Sequence, residues 1–136
     1  MEPEIMEFAA SIAASELSAG DEAYAAFRAR FRMHNYFLHP SGLLVIKLSR
    51  LKVPFWGLGK DIVDFLNGSV SYSVILLRSA SQGWAFSKAE VNHSIQHKEW
   101  RLESTGQQYK IHEPPSAKMF FGPKGCLQKL GGVVDA

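Results

Sequence analysis

Apolar and polar positions follow two different periods along this chain, and the change of period divides it. Between residues 3 and 17, Ile5, Phe8 and Ile12, and Ala9, Ala13 and Leu17, recur at three- and four-residue spacings. Glu4, Glu7, Ser11 and Ser15 take the other side. That spacing predicts an amphipathic helix, with Pro3 in its first turn and Gly20 at its stop. Asp21 is placed to cap a second helix, on which Tyr24, Phe27 and Phe31 share a face. Arg28, Arg30 and Arg32 gather toward its C-terminal end, where the helix dipole favours cations. The pair predicts a helical hairpin over residues 1–33, followed by a loop from His34 to Pro40.

From Gly42 the pattern shortens. "GLLVIKLS" and "VSYSVILLRS" are β-branched and leucine-rich runs of strand length. Between them, Lys60 to Leu66 predicts a short helix ended by "NGS". "GWAFS" predicts a third strand, paired with the second through "SASQG". Ser87 and Glu90 are spaced as a capping box for a helix running to about His97. Trp100 to Glu103 and Tyr109 to His112 predict a strand pair turning at "STGQQ", with Pro114 and Pro115 ending it. A last short element is expected near Leu127 to Leu130, before a loose tail over residues 131–136. The fold class is therefore α+β: the hairpin, then a small mixed, mainly antiparallel sheet with two or three short helices over residues 42–130.

Composition adds limits more than detail. A chain of 136 residues with 46% hydrophobic and 21% charged residues fits one globular domain. A domain of that size buries about 68–70% of the surface its unfolded chain exposes. Its longest apolar runs are too short to cross a bilayer, and "MEPEIMEF" lacks the basic region of a secretory signal. Cys126 has no partner for an internal disulfide, which fits the cytoplasm, and it reads as a small half-buried residue rather than a nucleophile. No nucleophile elbow or paired carboxylates for Mg²⁺ stand out, so the reading leans away from an enzyme and calls for no cofactor.

Charge is more informative in its distribution than in its sum. The net charge is only +2, yet from Gly42 to Lys60 there are four cations and no acid. Residues 1–41 carry six acids against three cations. The basic segment is "SRLKVPFWGLGKDIVDF". Pro54, Gly57 and Gly59 predict that "RLKVPFWGLGK" is a loop, leading into a helix N-terminus with unhindered backbone N–H groups. Lys47, Arg50, Lys52 and Lys60 would supply phosphate contacts, and Phe55 and Trp56 a stacking surface for bases. The segment is no nucleotide-binding P-loop, because Pro54 stands where that motif needs glycine and Asp61 where it needs Ser or Thr. In the competing arrangement, Phe55 and Trp56 plug the core and the cations form an ordinary solvated rim.

A second candidate lies in "KAEVNHSIQHKEW". His93 and His97 are four residues apart on one exposed helix face, with Glu90 three residues before His93, a row able to hold a divalent metal. The hydrolytic zinc-helix motif has Glu beside its first His, whereas Ser94 stands there. The leading expectation is thus a non-catalytic nucleic-acid-binding protein, DNA or RNA. The alternatives are a protein-binding adaptor or inhibitor using the same aromatic segment, with possible self-association, and a metal-dependent hydrolase built on Glu90, His93 and His97. Met119, Phe120 and Phe121 are expected to fold back as a lid on the core rather than form an open apolar patch.

Overall fold

The computed structural model describes residues 2–18, 21, 24–31 and 36–130. It is mixed α and β, as the pattern predicts. A six-stranded sheet runs in the order β1 (Ser15–Glu16), β2 (Tyr36–His39), β3 (Gly42–Leu48), β5 (Tyr72–Ser79), β6 (Gln82–Ser87), β9 (Met119–Phe121). Every neighbouring pair is antiparallel except β3 and β5. Those two central strands are buried on both faces, which is why each is a near-continuous apolar run rather than an alternation. A second sheet of three antiparallel strands, ordered β4 (Phe55–Gly59), β8 (Gln108–His112), β7 (Arg101–Leu102), packs over one face of the first.

Two apolar layers result. On one face, helices α1 (Pro3–Ser11) and α5 (Gly122–Lys129) cover the large sheet, with Ile5, Phe8, Ile12 and Cys126 against Leu44, Ile46, Ile75 and Leu77. On the other face lie α2 (Ala25–Arg30), α3 (Lys60–Ser69), α4 (Lys88–Gln96) and the small sheet. Asn67 on α3 and Asn92 on α4 exchange amide hydrogen bonds at 2.8 and 3.0 Å, and the Tyr72 hydroxyl donates to Asn67 Oδ1 at 2.8 Å. This polar clasp joins the two helices above β5. The capping box at the head of α4 is formed: Ser87 Oγ accepts from the Glu90 N–H, and Glu90 accepts from the Ser87 N–H.

The N-terminal hairpin is not found. Helix α1 stops at Ser11, Ala13 takes a left-handed conformation with φ of 58°, and the chain continues into β1. The reason lies in burial. Ile5, Phe8, Ala9 and Ile12 pack on one face of the sheet, whereas Leu17 packs on the other, with its N–H bonded to the Tyr36 carbonyl. One straight helix cannot serve both faces of a sheet, so the chain crosses at its edge. Asp21 does not cap α2 either: its carboxylate accepts from the Ser18 N–H and hydroxyl. Phe27 does anchor α2, edge-on to Tyr36 and beside Phe65. Gly20, Arg32, His34 and the 131–136 tail lie outside the described residues.

Two further expectations change. The stretch expected as a loop from His34 to Pro40 contains strand β2, whose apolar residues serve both layers: Tyr36 faces one and Phe37 the other. The loop expected from Arg50 to Lys60 ends at Pro54, because Phe55–Gly59 is strand β4. Trp56 and Leu58 alternate inward there, and the two glycines face outward. The C-terminal triplet closes the far edge of the large sheet as β9. Phe120 is buried against Phe8 at 5.7 Å between ring centroids and Met119 packs on the opposite layer, while Phe121 stays exposed.

Candidate nucleic-acid interface

The six residues of the basic aromatic segment do not share one surface. Lys47, on β3, points into the layer beneath the small sheet, in a row with Leu76 and Trp84 across the strands. It is half-buried and has no hydrogen-bond or ion-pair partner among the described residues, and burial pushes its ammonium below the usual lysine range. Arg50 is exposed but engaged. Its Nε and Nη2 donate to the two carboxylate oxygens of Glu4 at 2.7 and 2.6 Å, with Glu2 at 3.6 Å. The guanidinium hydrogen bonds hold the Glu4 carboxyl at about 2.

Trp56 is 2% exposed. Its indole N–H donates to the Leu77 carbonyl at 3.2 Å, and its ring meets Trp84 edge-to-face at 5.4 Å. No base can stack on it. Lys60 opens α3 and pairs with Asp64 at 2.5 Å, an i to i+4 contact along the helix. Its backbone N–H, which the sequence offers to a phosphate, donates instead to the Gln107 carbonyl at 2.9 Å. The cleft at this helix start, about 420 Å³, is lined among the described residues by Phe31, Gly59, Asp61, Ile62, Gln107 and Gln108, with no cation among them.

Lys52 and Phe55 remain available. Lys52 is exposed in a loop that Arg78 holds in place, donating to the Ser49 and Leu51 carbonyls at 2.9 and 2.7 Å. The Ser49 hydroxyl accepts from the Phe55 N–H at 3.3 Å and so fixes the loop's exit. Phe55 is half-buried and its ring lies 5.5 Å from that of His112.

Strand pairing brings in residues the segment does not contain. Opposite Phe55 stands His112, and opposite Gly57 stands Lys110, which in turn faces Arg101 on β7. Directly opposed residues share a face, and Tyr109 and Ile111 between them turn inward. Phe55, His112, Lys110 and Arg101 therefore lie together on the outward face of the small sheet. Neither Lys110 nor Arg101 has a carboxylate partner among the described residues; Arg101 Nε donates only to the Lys98 carbonyl. A side chain at Gly57 would collide with the Gln108 amide, which lies across it. The alternation in "QYKIH" marks which side chains of β8 face out, but only the pairing with β4 brings them beside Phe55.

The Glu90, His93 and His97 row is divided. The two imidazoles, His93 on α4 and His97 just past its end, are both exposed, with ring centroids 4.0 Å apart and planes tilted 38°. Glu90 is engaged by the capping box and by Lys118. Burial raises its carboxyl, but the hydrogen bonds from Lys118 and from the Ser87 N–H outweigh that and hold it below its ordinary value. Among the described residues no three His, Cys, Asp or Glu side chains converge as a metal site, and no helix is long and apolar enough to cross a membrane. Comparison with protein-family models, curated proteins and solved structures finds no match for this chain.

Proposed function

We propose that the protein is a small non-catalytic nucleic-acid-binding protein. The observation that carries this reading is the exposed Lys52, without an ion-pair partner among the described residues, on a pinned loop leading straight to the half-buried ring of Phe55. A cation beside an aromatic ring suits a phosphate and its base. Arg50, Trp56 and Lys60 support the surface rather than touch the ligand, since each is held by another part of the chain. The test is fluorescence polarisation of labelled DNA and RNA at two salt concentrations. Binding should weaken with salt, and Lys52→Ala should reduce both affinity and salt dependence. Absence of binding at low salt ends the proposal.

A protein-binding adaptor is the second reading, favoured by Leu51 and Val53, which are 57% and 74% exposed on the same loop. Apolar side chains held out on a fixed loop suit a protein partner or a second copy of the chain. Salt-insensitive self-association in sedimentation, abolished by Val53→Ser, supports that reading against the first.

A further inference from the structure

We infer that the ligand surface is the outward face of the small three-stranded sheet and that its ligand is single-stranded nucleic acid. This rests on the nucleic-acid reading above and deepens it. The sheet places two kinds of group in adjacent rows. Phe55 and His112 form one row, their rings tilted 50° to each other, and Lys110 and Arg101 form the next with Gly57. Rows on the same face are two residues apart, roughly 7 Å along the strand. A base laid on Phe55 or His112 therefore has its neighbouring phosphate within reach of a flexible cation.

Each group suits that ligand for a physical reason. Ring faces attract bases only where the bases are unstacked, as in single strands, and the contact tolerates any sequence. Lys110 and Arg101 stand directly opposite each other, a like-charge pair that costs free energy in the isolated sheet. An anion bound between them removes that repulsion. Gly57 leaves the centre of the face without a side chain of its own, and the Gln108 amide lying over it supplies both a donor and an acceptor for a base edge. A duplex fits poorly. Reading a major groove takes a protruding helix or two-stranded ribbon, and this face is three strands wide, about 10 Å, backed by the core.

The experiment is a polarisation titration of the whole chain with labelled oligouridylate, oligothymidylate and a duplex of equal length. Both single strands should bind more tightly than the duplex; a preference between them assigns RNA or DNA. Lys110→Ala with Arg101→Ala should weaken single-strand binding about tenfold or more and lower the salt slope by about two. Phe55→Leu should weaken it with little change in salt slope. Lys124→Ala, on the helix covering the other face, should change nothing. All four positions are accessible enough for the variants to fold, which circular dichroism checks. If the wild type binds but the paired sheet variant binds equally well, or if duplex is preferred, this inference is overturned while the nucleic-acid reading stands. If no oligonucleotide binds, both fall.

Discussion

Arg50 grips both carboxylate oxygens of Glu4, 46 residues earlier in the chain, and so ties the loop after β3 to the first turn of helix α1. The contact suits both ends: a carboxylate is favoured near a helix N-terminus, and the planar guanidinium offers a matched pair of donors. It also turns the most prominent cation of the basic segment into a structural group.

That pair carries a pH signature. The folded Glu4 carboxyl titrates at about 2, below its ordinary 4.5. A depressed carboxyl contributes stability that is present above the ordinary value and lost as pH falls toward the folded one. Wild type should therefore melt above Glu4→Gln at neutral pH, with the gap closing between pH 4.5 and about 2. Both groups are exposed, so the gap should be small and should shrink with salt. Thermal melts of both proteins across that range check it; a gap that persists at the acidic end removes the assignment.

Trp56 is a core residue, and its replacement should act through folding. Trp56→Ala should cost about 3–5 kcal/mol in urea unfolding. Trp56→Phe keeps most of the bulk but loses the bond to Leu77, and should cost about 1–2 kcal/mol. In neither folded variant should oligonucleotide affinity change by much. All three tryptophans are nearly fully buried, so ligand binding should leave their emission almost unaltered. Strong quenching by an oligonucleotide would place an indole at the interface and contradict the geometry.

Lys47 should be dispensable, even unfavourable, where it stands. Its charge is half-buried with no partner among the described residues. Lys47→Met keeps the stem's packing and should leave the protein as stable or more stable at neutral pH. Burial lowers the folded amine's pKa below the ordinary 10.5. Wild-type stability from this group should therefore rise as pH climbs toward 10.5, narrowing the difference from Lys47→Met. Urea unfolding at neutral and alkaline pH measures both; a large loss in the neutral variant would count against a merely tolerated charge.

Cys126 should be chemically silent in the folded protein. It is fully buried on α5, and burial pushes its thiol up to about 12. The thiolate is the reactive form, so labelling by iodoacetamide should be slow in buffer and fast in urea. Rapid labelling of native protein would mean that α5 opens readily.

Local chemistry was enough for the elements it governs. The strand pair around "SASQG", the helix opened by Ser87 and Glu90, and the short helix after Gly59 all follow from side chains a few residues apart. The parallel pairing of β3 and β5 and the crossing of the chain between Ile12 and Leu17 do not. Those depend on which face of the large sheet each apolar residue finds, and a helical period is the same whichever face it meets.

The candidate site divides along the same line. Charge density and aromatic content in residues 42–60 are properties of sequence, and they mark Lys52 and Phe55. Arg50 and Trp56 carry the same local signals, yet each is satisfied by a group that only folding brings near, Glu4 and Leu77, while Lys60 pairs with Asp64 one turn along its own helix. Lys110, Arg101 and His112 show the reverse, unremarkable in order and brought beside Phe55 by two strand pairings. Sequence determines which residues can carry charge, stack or cap. Tertiary structure decides which of them are left unpaired and facing water, because that depends on long-range partners competing for the same donors, acceptors and apolar surface.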